Sequence, residues 1–471
     1  MVEIKESAAR RRFERFDVAA VGLVAVLLIA IVTTVSAGDR AGVGVISSVP
    51  QGQAHTTSSI RITFAEPMDT SSVEKHFVID PPASGKFSWN GSQLTFNPSP
   101  ALAAGRTYTV TVQTGAASTQ GRKLTADVRW TFTIVRPRVV YLAPALQDGA
   151  PASANLWIVD PVDPKTAKQL TFNHLGILPD YAPSPDGTRI AFAQDGAGGS
   201  ADIYLLTLDS GAIQRITQCV KAACQSPSWS PDGARIAYER IELDPSLPQA
   251  DRGVPRTWIV NLNDLSTAPL LVNSQLLGKQ PRWSPDGKQI AVYDQNAHGT
   301  IIYSLVDGSS FFIPSQEDTT GLFDPTGKRM VYPDLLQTPS GFSTSLSIAD
   351  LTAQSVRPLV SKDQSPVDDR QAAWSPDGKH LAVTRQYLDE SQTPGAQVYL
   401  VNPDTAETQP LVEDPQFNHG AIAWDPSGEQ LVMQRFPSLS QNGQPTIWIY
   451  NVQTKAIQQI ATNAYLPQWL P

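Results

Sequence analysis

The chain has 471 residues, more than one hydrophobic core usually holds, so two or three domains are expected. Lys and Arg total 36 against 44 Asp and Glu, a net charge of −8, and only 17% of residues are charged. That balance argues against a nucleic-acid protein, which carries a concentrated basic surface. The 38 Pro and 31 Gly fit the dense turns of an all-β chain.

Residues 1–16 are polar and basic, with Arg10, Arg11, Arg12 and Arg15. Val18–Val35 then runs without a charge. As a helix this stretch is ~27 Å long, close to the hydrocarbon thickness of a bilayer. Basic residues before it and only Arg40 soon after place the N-terminus in the cytoplasm and the rest outside. Val35-Ser-Ala37 offers small residues for a cleaved signal peptide, but the apolar run exceeds the ~7–15 residues of a signal core. The reading is therefore a cytoplasmic stub (1–16) and an uncleaved transmembrane anchor (17–37), followed by a linker (38–44).

From 45 to 136 apolar residues alternate in short runs: Ser59–Phe64, Phe77–Ile79, Gln93–Phe96, Thr107–Val112 and Val128–Ile134. Period-two patterning means strands with one buried side. Asn90-Gly91 and Thr119-Gln-Gly121 are turn signals between them. Some seven short strands suggest an immunoglobulin-like (Ig-like) sandwich. Phe64-x-x-Pro-Met-Asp69, Trp89, Leu94-Thr-Phe-x-Pro98, Gly105-x-x-Tyr108 and Trp130-Thr-Phe132 resemble the bacterial Ig-like domain of S-layer proteins. The resemblance implies a spacer or adhesive module. Arg136-Pro-Arg138 leaves almost no slack before the next domain.

Residues 137–471 are built on a repeat. Pro227-Ser-Trp-Ser-Pro-Asp-Gly-Ala-Arg-Ile-Ala-Tyr238 returns at Pro281–Val292 and Ala373–Val383, with weaker copies at Ala182–Phe192, Leu322–Tyr332 and Ala423–Met433. The central prolines (185, 231, 285, 325, 376, 426) are 46, 54, 40, 51 and 50 residues apart. Such a period, with short strands around a fixed turn, points to a β-propeller. Pro pre-sets the turn and Gly takes the positive φ that closes the hairpin. Trp229, Trp283, Trp374 and Trp424, in register with Phe323, sit on innermost strands and are expected to pack between blades. The first blade, from Arg138-Val-Val-Tyr141, lacks an innermost strand. Leu466-Pro-Gln-Trp-Leu-Pro471 matches that pattern and should supply it, giving seven blades, or six if the first is malformed. The motif resembles the WD40-like propeller repeat of the TolB family, whose best-known members have six blades. The resemblance implies an exported propeller, and for the family a lipoprotein partner in the envelope.

The strand 1–2 turns are uniform, whereas connections on the opposite end are long: Ala143–Asn155, Arg240–Arg256, Pro333–Ser343, Gln386–Ala396 and Phe436–Pro445, with Thr171–Asp180 and Ser361–Arg370 between blades. Loop enlargement at one end of a rigid ring suggests binding there. Asp244, Asp251, Arg252, Asp363, Asp368, Asp369, Asp389 and Glu390 make that end mixed to acidic. In an exported chain, Cys219 and Cys224 are read as a disulfide. No Gly-x-Ser-x-Gly, Walker loop, dinucleotide fingerprint, His-x-x-x-His or calcium loop appears. His174 and His419 occupy matching loops and are candidates to face the channel mouth. No catalytic, cofactor-binding or metal residue is assigned. The expectation is a non-enzymatic, membrane-anchored envelope protein binding a protein or glycan. The alternative is a propeller lyase or lactonase with its site in the channel.

Overall fold

The computed structural model describes residues 26–28, 42–144, 153–173, 177–243, 253–271, 277–338, 341–360, 366–389, 392–438 and 443–471. The predicted stub, and the predicted anchor apart from Val26–Leu28, lie outside them. Among the described residues no helix is long and apolar enough to cross a membrane. The chain divides into two compact units.

The N-terminal β region holds two four-stranded sheets. One runs in the order Val45–Val49, Ile60–Phe64, Gln93–Pro98, Gly85–Asn90, and the other Gly52–Ala54, Val128–Ile134, Thr107–Val112, Phe77–Asp80. The alternating residues face inward as the period-two pattern requires: Ile60, Ile62 and Phe64 are buried, as are Val110, Val112, Phe132 and Ile134. Phe77 of one sheet meets Phe87 and Phe96 of the other at 5.3 Å each. The expected seven strands are eight here, plus a helix at Thr70–His76. The carboxylate of Asp69 accepts from the amide of Ser72, satisfying a free donor of the first turn, and Val73 anchors the helix in the core. Asp69 is thus a helix cap inside the motif that suggested the domain.

The second unit is of propeller type. Sets of four antiparallel strands follow one another along the chain, and all but the first, whose innermost strand comes last in the sequence, start from an innermost strand. Those strands are Ile177–Pro183, Ala222–Trp229, Lys279–Trp283, Leu322–Phe323, Val367–Trp374, Phe417–Trp424 and Tyr465–Leu470. The last pairs with Arg138–Pro144 far back in the sequence: Gln468 lies opposite Val140, Trp469 opposite Val139 and Leu470 opposite Arg138. Neither side of a single set could be buried alone; stacking neighbours buries both. Val140, Leu142, Leu156 and Ile158 pack against Tyr181, Ile190 and Phe192 on one side. Val139, Tyr141 and Val159 pack against Val432, Ile447 and Ile449 on the other. The ring therefore closes through its two ends.

Outer strands of two sets lie at Thr267–Pro269 and Asp163–Gln169. Pro333–Ser343, read as a loop, is mostly hairpin: Arg329–Thr338 pairs with Gly341–Asp350 from Arg329↔Asp350 out to Thr338↔Gly341. The backbone ladder runs on through these residues, so the chain extends the sheet instead of leaving it.

Candidate functional site

The repeat's polar atoms build the ring. In each Ser-Pro-Asp-Gly turn the Gly amide donates to the Ser carbonyl, as from Gly233 to Ser230 and from Gly378 to Ser375, both at 2.9 Å. The Ser hydroxyl donates to the Asp carboxylate: Ser184 to Asp186 at 2.6 Å, Ser284 to Asp286 at 2.7 Å, Ser375 to Asp377 at 2.6 Å. Burial alone would raise the pKa of Asp232, but the Ser230 hydroxyl and the Ala234 amide bring it below the usual carboxylate value. Gly287, at φ +71°, holds a backbone open only to glycine at low cost, and its Cα side faces Pro231 of the preceding turn.

Each Trp fills the seam beside its own strand and also ties it to the preceding one. Trp229 donates to the Ala182 carbonyl (2.9 Å), Trp283 to Ser228 (3.2 Å), Trp374 to Leu322 (3.1 Å), Trp424 to Ala373 (3.2 Å) and Trp469 to Ala423 (3.1 Å). Arg189, Arg235 and Arg329 lie over Trp229, Trp283 and Trp374 at 4.8, 4.6 and 5.0 Å. Arg189 and Arg329 also donate to the carbonyls of Gly233 and Gly378. An indole N–H and a guanidinium thus join adjacent sets at contacts the spacing alone marked only as packing.

Cys219 and Cys224 form the expected disulfide, and both are buried. His419 is not at a channel mouth. It is buried, its Nδ1 meets the Ala396 carbonyl at 3.0 Å, and burial pushes its pKa down to about 4. Its partner in that reading, His174, lies outside the described residues, as do Asp244, Asp251, Arg252, Asp363 and Glu390. Asp369 is no surface acid: it is 1% exposed, and both its oxygens take the guanidinium of Arg385, also 1% exposed, at 2.6 and 3.0 Å. Neighbouring Asp368 points the other way, as strand alternation requires, and accepts from Thr344 and Arg370. Asp389 lies at the edge of the described loop.

The innermost strands surround a cavity of about 610 Å³. Every innermost strand except the short Leu322–Phe323 carries a β-bulge, for example between Gln225 and Ser228, Lys279 and Arg282, and Tyr465 and Gln468. Ser226, Gln280 and Leu466 sit there with φ of 54°, 49° and 50°. Such bulges re-aim side chains, here into the cavity. One arc of the wall is polar. The amide and hydroxyl of Ser226 donate to Asp180 at 3.0 and 3.1 Å. Buried Glu239 accepts from the Gln280 amide and from the Gln225 side chain, and burial raises its pKa despite them. Thr319 donates to the Gln280 side-chain oxygen at 2.6 Å. The arc across from it is lined by Ala372, Ala373, Ile422 and Ala423. Among the described residues no three His, Cys, Asp or Glu side chains are placed to hold a metal ion. The cavity was not legible in the sequence. The only sign of it was the residue before each Trp position, which is Ala182, Ser228, Arg282, Leu322, Ala373, Ala423 and Gln468.

Among curated proteins, the chain is similar to the Tol-Pal system protein TolB of Francisella tularensis subsp. holarctica, 26% identical over 235 residues, 41% of this chain and 53% of that protein. It is also similar to the uncharacterized peptidase YuxL of Bacillus subtilis, 24% identical over 210 residues, 44% of this chain and 28% of that one. The chain thus spans about half the length of the TolB relatives it matches. Among solved structures, a puromycin-hydrolyzing peptidase of Mycobacterium tuberculosis matches with a TM-score of 0.52 at 12% identity, over 70% of this chain and 53% of that one, a likeness of fold alone. Residues 39–134 match the bacterial Ig-like domain, and residues 153–364 match the TolB beta propeller domain.

Proposed function

We propose that this is a non-enzymatic binding or scaffold protein of the cell envelope. A cytoplasmic stub and a single anchor at 17–37 hold an Ig-like domain (45–136) and a seven-bladed propeller (137–471) outside the membrane. The long-connection end of the propeller takes a protein or glycan partner. The observation that carries this reading is the use made of the repeat's reactive-looking groups. Its Ser, Asp, Trp and Arg side chains are engaged in turns and in contacts between strand sets, as befits a frame that presents loops. The similarity to TolB proteins, named for the Tol-Pal system, supports a protein partner. The seven innermost strands, the last paired with Arg138–Pro144, support the blade count.

Antiparallel alternation puts Val254 and Phe436 at the long-connection end and Val306 at the opposite one. All three are exposed. A photoreactive amino acid at 254 or 436 should capture a protein or glycan in intact envelopes, and one at 306 should not. Equal capture from both ends, or none from either, would overturn the reading.

A further inference from the structure

Arg282 stands apart from the arginines of the ring. It lies one residue before Trp283 on the innermost strand Lys279–Trp283, where Ala182, Ala373 and Ala423 occupy the equivalent places, and it lines the cavity. Its side chain is exposed to the cavity although it sits deep within the ring. Its guanidinium donates to no carboxylate or carbonyl among the described residues. Asp180, the acid that acts on it electrostatically, has an oxygen already engaged by the amide and hydroxyl of Ser226. Removal from bulk water disfavours its charge, and Asp180 offsets this only in part. The cation is therefore set in a partly dry chamber with its planar fork of donors unused.

The chamber has two chemistries. Asp180, Ser226, Gln280 and Thr319 lie on consecutive sets and form the polar arc, with Arg282 among them. Ala372, Ala373, Ile422 and Ala423 line the other arc, which is apolar. The volume of about 610 Å³ falls within the ~300–1,000 Å³ of small-ligand sites. One cation with an acid nearby suits a singly charged anion and disfavours a dianion such as phosphate. The planar guanidinium suits a carboxylate, which it can bind through two parallel hydrogen bonds.

We propose that the cavity binds a carboxylate carried on a short apolar stem, with the carboxylate on Arg282 and the stem along Ala372, Ala373, Ile422 and Ala423. This rests on the reading of the chain as a binding protein and assigns a ligand class to the channel, separate from the looped end. The carboxylate has two possible sources, a free small acid or the C-terminus of a peptide.

The test is calorimetric titration of the full-length chain with hexanoate and with N-acetyl-leucyl-alanine. Hexan-1-ol and the amidated dipeptide are the uncharged counterparts. At least one free acid should bind, and the stronger of the two identifies the source. Its counterpart should bind about 10–100-fold more weakly, the factor for a lost charge-assisted hydrogen bond. Arg282→Gln should weaken the acid by the same factor while melting close to the native chain, because among the described residues Arg282 makes no hydrogen bond or ion pair. Ala373→Leu, which fills the apolar arc and leaves the cation, should also abolish binding, and it carries the test if R282Q misfolds. No binding of either acid to the native chain, or equal binding to both variants, overturns the proposal. Loss of acid binding with capture from position 254 or 436 intact would sink this inference alone. Turnover of a probe would instead sink the non-enzymatic reading.

Discussion

Trp469 is the residue on which closure of the ring can be measured. It is 7% exposed, packs with Val139 of the first set and Val432 of the last, and donates to the Ala423 carbonyl at 3.1 Å. Trp469→Ala removes the packing and the bond together and should cost about 3–5 kcal/mol. Trp469→Phe keeps most of the packing but leaves the Ala423 carbonyl without its donor, at about 1–2 kcal/mol. Phe323, which holds the equivalent place in another set, shows that a ring without the N–H is accommodated. For a unit extending from 133 to 471, the unfolding entropy near the midpoint is roughly 0.7 kcal/mol/K. The alanine variant should therefore melt about 4–7 °C lower and the phenylalanine variant about 1–3 °C lower. Thermal unfolding followed by far-ultraviolet circular dichroism reads both, with Val306→Ala, at a site 73% exposed, as the control. If Trp469→Ala melts within about 1 °C of that control, the C-terminal strand does not close the ring and the stacking argument fails.

Three more outcomes follow from buried groups. His419 has its pKa lowered in the folded state from 6.5 to about 4, so its neutral form stabilises the fold above pH 6.5, and that stability is lost as pH falls through 4. Urea titrations should show about 3 kcal/mol disappearing over that window, with the dependence flattened in His419→Gln. Asp369→Ala leaves Arg385 buried without its counter-ion and should cost about 3–5 kcal/mol in the same assay. The double variant with Arg385→Met should be more stable than that single one, and an equal or larger loss would contradict the pairing. Replacing Cys219 and Cys224 by Ala opens a loop with a sequence separation of 5, which should cost about 2 kcal/mol. Mass mapping of the native chain should find no free thiol at either position.

Local rules carried much of the fold. Six returns of a Pro-x-Gly turn set the repeat, because only that turn chemistry closes such a hairpin, and alternation set strands such as Thr107–Val112 and Val128–Ile134 to the residue. Even the closing strand was legible, since Leu466–Leu470 carries the Trp pattern without its turn. Short-range signals failed where a competing local bond won. Asp69 capped a helix inside a β pattern, and Pro333–Ser343, read as a long connection, mostly continued a ladder.

The site was another matter. Acids that looked alike in the sequence, Asp368 and Asp369, were parted by strand alternation into a half-exposed acceptor and one half of a buried ion pair. His419 went into the interior. Nothing in the sequence sets Arg282 apart from a solvated arginine. The sequence by itself determined the turns, the strands and the order in which they stack, because those depend on residues a few places apart. Only the tertiary structure decided which side chains share the central cavity, because they come from strands scattered from Asp180 to Gln468 and meet only when the ring closes.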